Sequence, residues 1–152
     1  WVVWHIARAE DVGVNRFVVD GRQVLDEANW QEKLRIANRD HGGGMPDAEV
    51  TTLSQQIDLP ALRAYYNAVR ARTVAVVKTL TPAQLDEVPD TAERLRIVEA
   101  EGIIAPTRTW SRRPYPEWRR GELLIHLALT HNYGHFYEVC TICSLMGVEF
   151  WG

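Results

Sequence analysis

Residues 130–138 read THNYGHFYE and lie inside a largely apolar run from Leu123 to Met146. This stretch contains two histidines, His131 and His135, which are four positions apart. In an α-helix, two such residues lie about 40° apart around the axis and about 6 Å apart along it, so two imidazoles can bind one metal ion. The stretch therefore predicts a helix that carries a pair of metal ligands.

The same helix has a stripe of mostly apolar positions that includes both histidines. The members recur at spacings of three and four, which predicts that they face the protein core. Imidazoles in the middle of an inward stripe are costly to desolvate without partners, and a metal ion is one such partner. The stripe comprises Leu124, Leu127, His131, His135, Glu138, Ile142 and Leu145.

Composition predicts one globular domain over residues 1–152, because 46% of the chain is hydrophobic and 24% is charged. The net charge of −3 provides no overall field that would attract nucleic acid or an anionic membrane. No apolar run has the length of a membrane span, and no signal-peptide pattern opens the chain. Cys140 and Cys143 would form a strained disulfide within one helix, so we expect a reducing, cytoplasmic location.

Apolar periodicity predicts an all-α protein, because no alternating strand pattern is sustained anywhere. The first helix should end at Asp20-Gly21, with the glycine as the left-handed stop, and its charged residues should lie mostly off the apolar stripe. Long helices are expected at about residues 2–19, 59–80 and 118–146.

Capping residues predict shorter helices between the long ones. Asp47 is expected to cap a helix to about Gln56, Thr81 a turn to about Val88, and a charged helix should cover residues 90–101. The three glycines after His41 predict a mobile connection with a solvated histidine, since no phosphate-loop residues follow them. Three long helices leave one side of a bundle uncovered, and the mid-helical start at Trp1 indicates that a fourth helix precedes this sequence.

His5 is the third candidate ligand, because it lies beside the apolar stripe of the first helix. With His131 and His135 it would provide three neutral nitrogen ligands from two facing helices, which leaves an open coordination position as in catalytic sites. The alternative is that these are ordinary core or surface histidines, since their spacing also arises by chance. Three imidazoles and a water suit zinc, nickel, iron or copper alike.

Two segments, WHIARAED at residues 4–11 and HNYGHFYE at residues 131–138, resemble the DinB-like family. The region around Trp30 and the helix start DLPAL at residues 58–62 share the resemblance. It implies a four-helix bundle of the up-down-down-up type whose first helix is absent from this sequence. It also implies that His5, His131 and His135 bind a divalent metal, and that the protein is a homodimer.

The resemblance also implies a role for Glu138, because family members usually have a polar Gln or Glu three residues past the last ligand. Here Glu138 would orient His131 or a bound water. The zinc-protease signature requires a glutamate directly after the first histidine, and Asn132 occupies that position, so peptide hydrolysis is disfavoured.

DinB-like relatives include thiol-dependent transferases and a mycothiol-dependent isomerase. A metal with an open position can bind a small thiol such as mycothiol or bacillithiol as the thiolate and lower its pKa. We therefore expect a metal-dependent thiol transferase or isomerase that acts on an electrophilic substrate. The competing hypothesis is a metal-binding or stress-associated protein without turnover.

A third hypothesis comes from residues 108–120, where five arginines alternate with aromatic residues. Such a segment can bind single-stranded nucleic acid by phosphate pairing and base stacking. The acidic net charge and the absence of a nucleic-acid module make this hypothesis a minor one. His126 points away from the metal pair, and Cys140 and Cys143 are expected to be buried as small apolar residues.

Overall fold

The structure is a computed structural model that describes residues 1–104 and 115–148, and the described residues form helices and turns without a β-strand. The all-α prediction is confirmed. The helices are α1 (Val2–Val12), α2 (Trp30–Leu34), α3 (Asp47–Gln56), α4 (Leu59–Thr79), α5 (Pro82–Asp86), α6 (Thr91–Ala100), α7 (Arg120–Ile125) and α8 (His131–Leu145).

Two π-helical turns lengthen the long helices. The first π-turn (Gly13–Val18) continues α1, and the second π-turn (His126–Thr130) joins α7 to α8. Each long helical segment therefore has nearly the length that periodicity predicts. Among the described residues, no helix is both long enough and apolar enough to cross a membrane.

Helix α1 occupies the middle of the fold. It packs against α4 on one side and against α8 and the second π-turn on the other. Trp4 and Ala7 of α1 belong to one apolar cluster with Tyr65 and Val69 of α4, whereas Val12 belongs to a second cluster. The rest of that second cluster is Phe17, Val98, Ile103 and Ile104.

This central position buries polar residues that the sequence predicts to lie off the apolar stripe. Arg8, Glu10 and Asp11 are all 0% exposed, because α1 is covered on more than one face. Arg8 and Asp11 form a buried ion pair at 3.1 Å, and the Asp11 carboxylate also accepts the Tyr65 hydroxyl at 2.6 Å. Two backbone amides, those of Val24 and Leu25, donate to the same carboxylate, which fixes the turn after the first π-turn.

Most of the predicted helix starts are confirmed. Asp58 caps α4, Asp90 caps α6, and Thr81 forms a capping box with Gln84. For α3 the residue before the helix is Pro46, so Asp47 is the first helical residue rather than its cap.

The end of the first long helix also differs from the prediction. Asp20 adopts the left-handed conformation there, with φ of 54°, and Gly21 does not. A short acidic side chain tolerates this conformation better than most residues do.

The glycine segment after His41 is packed rather than solvated, which corrects the prediction for that histidine. His41 is 8% exposed, and its backbone amide donates to the Ile103 carbonyl at 3.2 Å. Gly42 has φ of +84°, and a Cβ there would lie 2.3 Å from the Trp4 ring. Glycine is therefore required at this position both by backbone conformation and by the approach of α1.

The inward stripe predicted for the last helix is interrupted after His135. Ile142 is 43% exposed and Leu145 is 83% exposed, and Glu138 is exposed as well. The second π-turn ends at Thr130, so it changes the register between α7 and α8 but not the face that His131, His135 and Ile142 share within α8. The later residues of the stripe are exposed because the described part of the chain does not cover that end of α8.

Candidate metal centre

Three histidine rings meet between α1 and α8. The ring centroids of His5 and His131 are 5.1 Å apart, those of His5 and His135 are 4.8 Å apart, and those of His131 and His135 are 4.7 Å apart. One nitrogen from each ring lies within 4.8 Å of the other two. Two histidines one turn apart on α8 and one on α1 are thus brought to a common point.

His5 is held by the loop that follows α2. Its Nδ1 lies 2.6 Å from the His41 backbone carbonyl. A carbonyl oxygen only accepts, so Nδ1 carries the proton and donates, which leaves a lone pair on Nε2. The Nε2 atom is buried and has no hydrogen-bond partner. A metal-binding imidazole usually has this arrangement, with one nitrogen donating to the protein and the other free.

His135 has the same arrangement with a side-chain partner. Its Nδ1 lies 2.6 Å from the Glu138 Oε2, so Nδ1–H donates to the carboxylate and Nε2 has the free lone pair. Glu138 was expected to orient His131 or a water, and the structure instead pairs it with His135. The reason is helical spacing, because residues three apart on one helix are neighbours.

His131 has a buried ring nitrogen, Nδ1, without a hydrogen-bond partner. The next residue, Asn132, points into the bundle and donates to the Glu10 Oε2 at 2.7 Å. Glu10 also accepts the Thr73 hydroxyl at 2.7 Å and forms an ion pair with Arg70 at 3.3 Å. This network joins α1, α4 and α8 directly beside the histidines, and the sequence reasoning missed it.

The electrostatics of the site keep His5 and His131 neutral at pH 7. Burial lowers the pKa of His5 to about 4, with smaller effects from His41 and His135. Burial also lowers the pKa of His131 to about 4, and His5 and His135 add to that shift. A neutral imidazole is the form that binds a metal ion, because protonation removes the donor lone pair.

The residues present fit a divalent metal. Two buried nitrogens, His5 Nε2 and His131 Nδ1, have no other partner, and leaving such atoms unpaired is costly. In a tetrahedral site with metal–nitrogen bonds of about 2.0–2.1 Å, ligand nitrogens would be about 3.4 Å apart, and the possible ligand atoms here lie within 4.8 Å of one another. Three imidazoles would leave a fourth position for water or substrate.

The other sequence candidates lie outside this group. The His126 ring packs against Tyr115 and Trp118, as its different helix face predicts, and His41 supplies its backbone carbonyl to His5. Cys140 and Cys143 are free thiols that are partly exposed rather than buried.

Most of the arginine-rich segment at residues 108–120 lies outside the described residues. Of its arginines, Arg119 and Arg120 are described, and they pair with Asp86 and Glu87. These ion pairs occupy the guanidinium groups that the nucleic-acid hypothesis would direct to phosphates. The rest of that hypothesis stays untested.

A sequence model of the DinB superfamily matches residues 1–139 of the chain, which include the three clustered histidines and Glu138. The chain belongs to the DinB superfamily. No curated protein and no solved structure matches it. DinB membership and the clustered imidazoles agree with each other, because both fit the binding of a metal ion.

One further feature beside the DinB histidines was not visible in the sequence. A cavity of about 410 Å³ adjoins His5 and His131 on the side of the two π-turns. Ligand sites in proteins are typically cavities of roughly 300–1,000 Å³. Neither π-turn leaves a signal in hydrophobic periodicity, so the cavity between them could not be predicted.

Proposed function

We propose that His5, His131 and His135 bind a divalent metal ion, and that this centre activates a low-molecular-weight thiol for transfer to an electrophile or for thiol-assisted isomerisation. Zinc, nickel and iron are the candidate metals, and mycothiol and bacillithiol are the candidate thiols. The observation that carries the proposal is the meeting of three histidine rings, two of which have a buried nitrogen without a hydrogen-bond partner, His5 Nε2 and His131 Nδ1.

The chain's own residues supply three parts of this chemistry. The His41 carbonyl and the Glu138 carboxylate orient His5 and His135 and fix which nitrogen is free. Burial keeps His5 and His131 unprotonated, so they are ready to act as ligands without first losing a proton. The adjoining cavity provides room for a second reactant.

A bound divalent metal would supply positive charge at the open position, which lowers the pKa of a thiol below its usual value of about 8.5. A thiol bound there would lose its proton to solvent, and its sulfur would form a bond to an electrophilic carbon. In a transfer reaction a leaving group departs with the bonding electrons, and in an isomerisation the sulfur itself departs later. Asn132 occupies the position of a zinc protease's general-base glutamate but has no carboxylate. Its side-chain amide is also hydrogen-bonded to Glu10.

The second candidate function is a metal-binding protein without turnover. A sealed site with four protein ligands would support it, since closed sites are typical of structural metals. Among the described residues the clustered group offers three histidines and no fourth ligand of the types that bind metals. The cavity beside it also favours the enzymatic alternative, because a structural site has no need of one.

Metal content tests the first part of the proposal. The purified protein should contain about one divalent metal per chain by elemental analysis, and His131→Ala should lose most of it. His126→Ala is the matched control, since this histidine lies on the same helical segment but packs against Tyr115 and Trp118. A metal content far below one per chain that His131→Ala leaves unchanged would contradict the ligand assignment.

Thiol consumption tests the second part. The metal-loaded protein should consume mycothiol, bacillithiol or glutathione in the presence of at least one member of a panel of electrophiles. His131→Ala should lose that activity, and the metal alone should not reproduce it. Full metal loading without thiol consumption against the whole panel would support the protein without turnover instead.

A further inference from the structure

The cavity beside the histidines has walls of unusual backbone geometry. Gly13 and Phe17 of the first π-turn form one wall, and His126 and Leu127 of the second π-turn form the facing wall. Single π-helical turns inside long helices occur frequently at functional sites. Here two of them face each other across one cavity.

Gly13 sets the distance between these walls. A Cβ at this position would lie 2.6 Å from the Leu127 Cβ, which is closer than two non-bonded carbon atoms can approach. The glycine therefore allows the two π-turns to come into contact beside the cavity.

The chemistry of the lining is mostly apolar. Ala9, Val12, Phe17, Ile104 and Leu127 supply aliphatic and aromatic surface, and the polar groups are imidazoles together with the Tyr115 hydroxyl. The described lining contains no lysine, arginine, aspartate or glutamate. Burying a charged ligand group against apolar side chains without an opposite charge is costly, so the part of the described lining formed by Phe17, Ile104 and Leu127 favours an uncharged group.

We infer that this cavity binds the electrophilic substrate of the metal centre, and that the substrate is an uncharged, largely apolar or aromatic small molecule. Its apolar part contacts Phe17, Ile104 and Leu127, and its reactive end lies towards His5 and His131. His126 and Tyr115 also line the cavity and add polar side chains to its lining. That the bound molecule is a substrate rests on the proposed function, whereas the existence of a ligand site in this cavity does not.

Binding of two naphthalene probes to the protein tests the inference. The uncharged probe is 2-naphthylmethanol and the anionic probe is 2-naphthoate, which share one ring system. After chelation of metal, amide chemical shifts should change at Ala9, Gly13 and Leu127 on addition of 2-naphthylmethanol, and 2-naphthoate should bind at least tenfold more weakly. Removing the metal matters because a carboxylate can bind a metal ion directly.

A pair of alanine substitutions locates the site. Ala9→Phe places a ring in the cavity and should weaken 2-naphthylmethanol at least tenfold, whereas Ala64→Phe places the same ring on an exposed position of α4 and should leave the affinity unchanged. Ala9→Leu fills less of the cavity and should have an intermediate effect, which keeps the test decisive if the larger ring prevents folding.

Three results would overturn the inference. They are amide shifts confined to other surfaces, equal or tighter binding of 2-naphthoate, and full affinity in both Ala9 variants. The probes bind without metal or thiol in this experiment, so its failure is distinct from that of the proposed function. Intact probe binding with no metal loading would remove the thiol chemistry and leave the cavity as an apolar ligand site.

Discussion

Asn132 donates a hydrogen bond from Nδ2 to Oε2 of the buried Glu10 at 2.7 Å, one residue beyond the candidate ligand His131. This hydrogen bond connects α8 to α1, the two helices that carry the three clustered histidines. Glu10 is in turn fixed by Thr73 and Arg70 of α4. The register that brings histidines from both ends of the chain together therefore depends on a residue that does not itself join the cluster.

Asn132→Ala should weaken metal binding by about tenfold, because α8 loses the bond that sets its position against α1. It should also lower the free energy of unfolding by about 1.5–3 kcal/mol, the usual range for a hydrogen bond to a charged group. Competition with a chromophoric chelator measures the first effect and urea unfolding the second. Asn67→Ala, at an exposed position of α4, is the control and should change neither quantity.

A metal affinity of Asn132→Ala equal to that of the unaltered protein would show that the histidines hold their positions without this bond. A stability loss alone would assign Asn132 to folding rather than to the site.

Glu138→Ala should reduce metal affinity by about 10–100-fold, the range found when the hydrogen-bond partner of a ligating histidine is removed. The carboxylate accepts from the His135 Nδ1 at 2.6 Å and thereby keeps Nε2 free for the metal. Because Glu138 is exposed, its removal should change stability little in the metal-free protein. Glu138→Gln retains an acceptor oxygen and should recover part of the affinity.

Chelator competition again gives the affinities, and Glu32→Ala provides a control at an exposed glutamate of α2. If Glu138→Ala and Glu32→Ala bound the metal equally well, the pairing with His135 would have no role in the site.

The sequence predicted the helices and the His131–His135 pair well, because both depend on local periodicity. Caps such as Asp58 and Thr81 act on amides within three residues, and His131 and His135 share a face by helix geometry alone. The facing position of His5 came from the apolar stripe of its helix together with the family resemblance. The caps and the His131–His135 pair need no knowledge of distant parts of the chain, whereas the position of His5 does.

What could not be predicted depends on distant parts of the chain. His41 is buried because its amide reaches the Ile103 carbonyl and its carbonyl accepts from His5. The first π-turn is packed against the second through Gly13 and Leu127, which are far apart in sequence. The buried ion pair of Arg8 and Asp11 does have a local signal that was missed. The two residues are three positions apart on an apolar helix, so their side chains are neighbours.

Asp11→Ala should lower the free energy of unfolding by about 3–5 kcal/mol, because removing one partner of a buried ion pair leaves the other charge uncompensated. Both side chains of the Arg8–Asp11 pair are 0% exposed. The substitution also removes the acceptor for the Tyr65 hydroxyl and for the backbone amides of Val24 and Leu25. Urea unfolding of the metal-free protein measures the loss.

Asp86→Ala is the matched control for Asp11→Ala, since its partner Arg119 forms a surface ion pair with side chains 60% and 73% exposed. Such a pair contributes at most about 1 kcal/mol. Equal losses in the two variants would mean that the interior pair has no special role in stability.

The metal-free protein should lose stability as the pH falls from about 6.5 towards 4. Burial lowers the pKa of His5 and of His41 to about 4 in the folded chain, whereas an exposed histidine titrates near 6.5. Between these values the unfolded chain binds more protons than the folded chain, so the free energy of unfolding decreases with decreasing pH. The slope should approach about 1.4 kcal/mol per pH unit for each such histidine. Urea unfolding at pH 7.5, 6.5 and 5.5 and constant ionic strength measures it, and His41→Asn should flatten the profile. A profile that is level over this range would show that these rings take up protons equally in both states.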